Sequence, residues 1–539
     1  MTTRREFLSR SSVSLLSMAA GPALLAARAD HDMVLRGGTV FDGTGASGRV
    51  LDVGITNARI AEISPRITGR GREEIDLRGL IVAPGFIDLH SHADSSLFDD
   101  ARAESVIRQG ITTIVGGADG SSRATGTPAR PFKEYFDSID RLNPACNVAS
   151  NVGLGSVRGA VVGNDDRPAT ASELSAMRLC VERALADGAC GASTGLEYTP
   201  GAFASRDELV ALCTPLSARG LVYSTHMRNE DDRLLQAIDE SIDVAKGANC
   251  GLQISHLKTQ GPRNWGVLDT VFARIASARS AGMDVAFDRY PYLAYATGLT
   301  SLFPVWSRDG GTEAFFRRLD DAAVAPRIRE ETLAKIALLG GWDNVQITSV
   351  RAVEDRDAEG ARLGAYAARS NTDPYERTVQ LLRRSEGNVS MIGFAMSETN
   401  LERILAHPLG MVCTDGGGFA IDGPTRRGSP HPRGIGSFAR VLGRYVRERK
   451  TLTMADAIHK MSALPASRVR LSDRGRIAVG QWADVIAFDA ETIADVATFE
   501  APFQYPTGMR LVLVNGAVAL LDGSRSATGT GRALRHGVG

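Results

Sequence analysis

Residues 81–92 read Ile-Val-Ala-Pro-Gly-Phe-Ile-Asp-Leu-His-Ser-His. Ile81 and Val82, then Phe86 and Ile87, make an apolar run broken by a Pro-Gly step, the pattern of a short buried strand. Side chains alternate along a strand, so His90 and His92 are expected on the same side at its end. Two converging imidazoles begin a divalent-metal site. An H-x-H spacing also arises by chance, but three further candidates, His226, His256 and Asp415, each close an apolar run of their own.

Working outward, residues 84–465 alternate short apolar runs with longer amphipathic stretches. The pattern predicts strands at 111–116, 147–152, 188–193, 221–225, 251–255, 284–288, 345–349, 390–394 and 410–413. Segments 171–187 and 231–248 carry apolar residues at three- and four-residue spacing and read as helices. Repeated β-α units of this length indicate an α/β fold with a parallel sheet, a (β/α)8 barrel, in which active sites follow the strands. Residues 300–375 break the rhythm with charged, helix-forming sequence and are expected to form an inserted helical lid. Short strand patterns at 33–41, 52–55 and 59–63 match others at 483–488 and 511–516. Segments 32–83 and 466–536 are therefore expected to build one small β-domain from both chain ends.

At 539 residues the chain is too long for a single core. Lysine plus arginine and aspartate plus glutamate number 62 each, for zero formal charge, so nothing favours capture of nucleic acid or an anionic membrane. The six cysteines form no C-x-x-C pair and no dense framework, and no disulfide is inferred. Thr3-Arg4-Arg5-Glu6-Phe7-Leu8 is a twin-arginine pattern, followed by an apolar run over 13–27 and a small-x-small step at Ala27-Arg28-Ala29. Residues 1–29 are expected to be a twin-arginine signal peptide read by the Tat export machinery. The mature chain is then expected in the periplasm or outside the cell, with no membrane span.

Two further stretches complete the set of chemical candidates. Gly116-Gly117-Ala118-Asp119-Gly120 ends a strand in glycines and one acid, so Asp119 is either a turn residue or a group presented at the barrel mouth. Thr414-Asp415-Gly416-Gly417-Gly418 repeats the arrangement, and its acid either binds metal, shuttles protons or caps a turn. Single strand-end histidines are usually structural. His226 and His256 beside His90 and His92 in one barrel favour metal.

The arrangement resembles the amidohydrolase superfamily, in which a metal-bearing (β/α)8 barrel joins a small β-sandwich domain. The segments at 85–92, 191–198 (Gly-Ala-Ser-Thr-Gly-Leu-Glu-Tyr), 255–258 (Ser-His-Leu-Lys), 288–292 (Asp-Arg-Tyr-Pro-Tyr) and 431–438 (His-Pro-Arg-Gly-Ile-Gly-Ser-Phe) narrow the likeness to the N-acyl-D-amino-acid deacylases, or D-aminoacylases. That resemblance covers about residues 32–536. It implies His226 and His256 as the principal ligands of a tightly held Zn2+, with His90 and His92 lining the same site and able to hold a second, weaker divalent ion. It implies Asp415 as general acid/base, and Lys258, Tyr290 and Arg433 as the groups that bind the substrate carboxylate. Asp119 falls where many family members place a zinc-binding cysteine; a carboxylate is a legitimate but harder ligand. Leu293-Ala294-Tyr295-Ala296 also replaces the small, polar run expected after Tyr290.

The implied activity is metal-assisted hydrolysis of the amide of an N-acyl-D-amino acid, a small-molecule substrate. Related hydrolases of cyclic amides or of dipeptides ending in a D-residue, a deaminase on the same scaffold, and a non-catalytic binding protein are the alternatives.

Overall fold

The computed structural model describes residues 29–526 and 529–537. The twin-arginine pattern lies outside the described residues.

Gly85 divides the opening stretch in two. Ile81–Pro84 belongs to a nine-stranded sheet, whereas Phe86–Asp88 is the first barrel strand. The one strand expected over 81–87 is therefore two strands in two sheets, and the helix-free HxH pair follows the second rather than extending it. Pro84 has no N–H to donate, and a Cβ on Gly85 would collide with the Thr112 side chain. Gly85 N–H donates instead to the Asp484 carbonyl at 2.8 Å.

The nine-stranded sheet draws on both ends of the chain. Its centre runs Val485–Phe488, Ile81–Pro84, His31–Val40, Arg49–Thr56. His31–Val40 pairs in parallel with Gly71–Asp76 through its first half and with Ile81–Pro84 at its end, and its antiparallel pairing with Arg49–Thr56 shifts register between Leu35 and Gly38. Val53, Ile55, Val485, Leu511 and Leu513 bury their side chains in the core of this unit. Each such burial contributes about 1.5–3 kcal/mol.

The barrel strands form two parallel arcs. Phe86–Asp88, Ile111–Gly116 and Asn147–Ser150 make one; Val152–Gly153, Gly191–Gly195, Val222–His226, Gly251–Ile254, Val285–Arg289 and Gly410–Val412 make the other. The arcs meet where Asn147–Ser150 runs on into Val152–Gly153. They close on the far side, where Asp415 N–H donates to His90 O at 2.9 Å and His92 N–H to Gly416 O at 3.0 Å. Buried on both faces, these strands read as continuous apolar runs. Ile87, Val115, Ala149, Ala286 and Met411 pack together as an interior plug. Helices such as Ala171–Ala186 and Leu234–Ala248 cover the outside. Ala171–Ala186 starts on a capping box, with Thr170 accepting from Glu173 N–H and the Glu173 carboxylate reaching back to Thr170 N–H.

The insert differs from expectation in kind as well as in extent. Val345–Val350 and Val389–Phe394, expected as barrel strands, instead join Ala294–Gly298 in a separate three-stranded sheet, where Val389–Phe394 is the centre and pairs antiparallel with each of the other two. An apolar run of five or six residues carries no mark of which sheet will take it. The segment between the last two barrel strands is thus a mixed unit of helices and sheet, not a helical lid over 300–375 alone. Its own core includes Phe303, Phe315, Ile347 and Met391, and also Tyr290 and Cys413 from the flanking barrel ends. All six cysteines are free. Among the described residues no helix is long and apolar enough to cross a membrane.

Candidate metal centre

Three turns at the mouth of the barrel place the acids and one histidine. Asp119, His256 and Asp415 all adopt left-handed backbone, with φ of 49°, 36° and 48°. Non-glycine residues enter this region at a cost of about 1–3 kcal/mol and hold it only where the surroundings dictate it. The surroundings of Asp119 do so. Ser193 Oγ donates to Gly117 O at 2.5 Å and accepts from Gly120 N–H at 3.0 Å, pinning both sides of the turn. A Cβ on Gly117 would lie 2.1 Å from the Asn151 carbonyl oxygen, so only glycine fits there. Asp415 is fixed through its neighbour, for Thr414 donates N–H and hydroxyl to the two Asp88 oxygens at 2.9 and 2.5 Å. His256 N–H donates to Asp288 Oδ1 at 2.7 Å.

These turns bring all five sequence candidates for metal binding together with Asp415. One group comprises His90, His92, Asp119 and Asp415; a second comprises Asp119, His226 and His256. Asp119 is common to both. Its Oδ1 lies 3.3 Å from His90 Nε2, and its Oδ2 lies 3.3, 3.7 and 3.6 Å from His92 Nε2, His226 Nδ1 and His256 Nε2. Asp415 Oδ1 sits 3.5 and 3.2 Å from His90 and His92 Nε2. His90, His226, His256 and Asp415 are buried, and the Asp119 side chain is 8% exposed.

The electrostatics are those of a cation site. Burial opposes charge on His92 and His226, yet the facing carboxylates prevail and hold them at about 9 and about 10; His90 is likewise raised. Burial opposes ionisation of Asp119 too, but the charges of His90 and His256 hold it well below the usual carboxylate range. Asp415 is held down against burial by Arg433, then His256 and His90. A divalent ion would take the place of the protons that these carboxylates otherwise retain on the rings. His90 Nε2 and Asp119 Oδ1 are buried without a directed hydrogen-bond partner among the described residues. Imidazoles and a carboxylate with free lone pairs suit zinc.

The expected carboxylate-binding residues meet at the same cavity, of about 260 Å³, whose lining includes His92, Asp119, His226, His256, Lys258, Tyr290, Asp415 and Arg433. Arg433 Nη1 donates to Asp415 Oδ2 at 2.7 Å, and its guanidinium lies 4.7 Å from the Tyr290 ring centroid. The Tyr290 hydroxyl is buried and unpartnered among the described residues. Lys258 has internal partners: Nζ donates to Glu230 at 2.5 and 2.6 Å and lies 2.8 Å from His256 Nδ1. Tyr295 and Thr297, from the first strand of the insert, complete one wall.

Several residues escaped the sequence reading. Glu230 bridges Lys258 and His256, contacting His256 Nδ1 at 3.0 Å. Asp288 Oδ1 stands 3.3 Å from His90 Nδ1 while Oδ2 accepts from Gln253 Nε2 at 2.7 Å, so it orients both His90 and the His256 backbone. Glu197 Oε2 lies 3.4 Å from His226 Nε2. His431 Nδ1 accepts from Arg433 N–H at 2.9 Å. Asp288, next to last in Val285–Arg289, Glu197 and His431 all lie in the segments quoted for the resemblance but were given no role there; Glu230 sits in an irregular loop.

Comparison with known proteins shows the family to which the chain belongs. Residues 226–520 match the model of an amidohydrolase family. The chain is 36% identical over 524 residues to the N-acyl-D-glutamate deacylase of Alcaligenes xylosoxydans xylosoxydans, covering 94% of this chain and 96% of that protein. The D-aminoacylase of the same organism is 33% identical over 520 residues, covering 93% and 97%. The crystal structure of N-acyl-D-glutamate deacylase from Bordetella bronchiseptica, complexed with zinc and a phosphonate mimic of the tetrahedral intermediate, superposes with a TM-score of 0.81 at 34% identity, covering 94% of this chain and 99% of that one. Likeness of this extent, over barrel, insert and β-domain together, places the chain in the amidohydrolase family, among the N-acyl-D-amino-acid deacylases.

Proposed function

We propose that the protein is a zinc-dependent hydrolase that cleaves the amide of N-acyl-D-amino acids, releasing a carboxylic acid and a D-amino acid. The observation that carries this reading is one cavity lined both by His92, His226 and His256 around Asp119, with His90 behind them, and by the Tyr290–Arg433 pair. His226, His256 and Asp119 would hold the principal ion; His90 and His92 with the same Asp119 would hold a second, weaker one. When bound, the metal supplies an acidified water and polarises the amide carbonyl. Asp415, with Oδ1 facing the cluster, takes the proton of the attacking water and returns it to the leaving nitrogen. Arg433, Tyr290 and Lys258 hold the substrate carboxylate from one side. That fixes the α-carbon, so only one enantiomer aims its amide at the cluster. Lys258 reaches the carboxylate while still tied to Glu230, which keeps its ammonium in place.

The twin-arginine pattern supports export of the folded, metal-loaded enzyme to the periplasm or beyond by the Tat machinery. Cell fractionation of the wild type against an Arg4→Lys/Arg5→Lys variant tests this; unchanged distribution would refute it. The catalytic reading is tested by metal analysis of the purified protein together with paired N-acyl-D- and N-acyl-L-amino acids. Turnover of the D-series, dependent on zinc, is expected. Ammonia release without amino-acid release would point to deamination instead.

A further inference from the structure

Beside the metal-site cavity lies a larger one of about 760 Å³, and Glu197 lines both. One wall comes from the barrel loop that carries Arg228 and Asp231, the other from the insert, with Trp306, Arg308 and Lys335. Three of its cations are already neutralised: Arg228 by Glu240 at 2.9 Å, Arg263 by Asp232, and Lys335 by Asp231 at 2.6 Å.

Arg308 is not. It is only 8% exposed, and among the described residues its guanidinium makes one hydrogen bond, from Nη2 to the Glu197 carbonyl at 3.0 Å. Nε is buried and unpartnered among the described residues, and no carboxylate pairs with it there. The Glu197 side chain does not fill the vacancy, since its carboxylate turns toward His226 at 3.4 Å. A buried guanidinium without a counter-anion is unfavourable by itself. Its flat fork matches a carboxylate, and the cavity it faces is large enough to bring one in.

We propose that Arg308 is a second anion subsite and that the substrate carries two carboxylates. The first, beside the scissile amide, is held at Tyr290 and Arg433; the second passes Glu197 and meets Arg308 in the outer cavity. This rests on the deacylase reading and narrows it. The second carboxylate belongs either to the side chain of the D-residue or to the far end of a dicarboxylic acyl group.

The test compares each dicarboxylate with its neutral isostere on the zinc-loaded full chain. N-acetyl-D-glutamate against N-acetyl-D-glutamine reads the side-chain source; N-succinyl-D-alanine against N-butyryl-D-alanine reads the acyl source. One pair is expected to show at least about a tenfold preference in kcat/KM for the dicarboxylate, the size of a charge-assisted hydrogen bond. Arg308→Gln should bring that ratio close to one, mainly through KM, and Arg308→Lys should keep part of it. Ratios near one for both pairs in the wild type overturn the subsite, with no variant needed. So does a preference that survives Arg308→Gln. Turnover of the neutral substrates reports separately on the deacylase reading. If nothing turns over, thermal stabilisation by N-acetyl-D-glutamate relative to N-acetyl-D-glutamine still reads the subsite, and equal stabilisation by the two rejects it.

Discussion

Replacing Asp288 by Asn tests whether the metal cluster depends on a residue that cannot reach the substrate. The carboxylate accepts from His256 N–H at 2.7 Å and from Gln253 Nε2 at 2.7 Å, and faces His90 Nδ1 at 3.3 Å. An asparagine supplies one acceptor oxygen where two are used. If that oxygen serves His256 and His90, its amide nitrogen confronts the Gln253 amide nitrogen. Gln253 is not free to turn over, because its Oε1 accepts from Arg468 Nε at 2.9 Å. If the oxygen serves Gln253 instead, the amide nitrogen confronts the His256 N–H and His90. Either way a buried donor is left without an acceptor, a loss of about 1–3 kcal/mol. The negative charge beside His90 also disappears. Loss of such an orienting partner typically weakens metal affinity about 10–100-fold, so zinc affinity measured by chelator competition should fall by that factor. Denaturant unfolding of the metal-free protein should show the stability loss separately. Affinity within about twofold of wild type, with stability reduced, would show that Asp288 supports the fold alone and would refute the reasoning.

Three more outcomes are expected. Asp119→Ala should weaken zinc binding in both groups at once, whereas Asp119→Cys should restore tight binding of at least one ion; equal zinc dissociation constants for wild type and the Ala variant would return Asp119 to a turn residue. Asp415→Asn should keep metal and fold while lowering kcat by about two or more orders of magnitude; loss of metal with activity would make it chiefly a ligand. Arg433→Met should raise KM, weaken discrimination against carboxamide analogues, and also lower kcat, because it leaves the buried Asp415 oxygen without its 2.7 Å partner; a wild type that hydrolyses carboxylate and carboxamide equally would remove the basis for the assignment.

The parts of the site readable from residues alone were those attached to strand ends. His226 closes Val222–His226 and His256 follows Gly251–Ile254 by two residues, so an apolar run pointing at a polar residue announced each. The roles of Tyr290 and Arg433 came only from resemblance, for nothing in a surface-like His-Pro-Arg-Gly segment tells that its arginine is 5% exposed and paired to Asp415. Left-handed backbone at Asp119, His256 and Asp415 left no mark in composition either, since it arises from tertiary bonds such as that from Ser193 to the Gly117 carbonyl. The insert was misread for a related reason. Val345–Val350 and Val389–Phe394 have the apolar content of barrel strands, and pairing partners, not residue types, send them elsewhere.

The position of Ile81–Pro84 bears on how the chain folds. On one side it pairs with Thr39 and Val40, which precede it closely; on the other it pairs with Val485–Phe488, near the far end of the polypeptide. During synthesis one edge of this strand stays open until almost every residue has left the ribosome, although the first barrel strand begins just two residues after it. Such long-range closure slows folding and exposes a template for pairing between chains. A chain arrested before residue 485 would carry that edge permanently, and aggregation, rather than a functional barrel, is its physical fate.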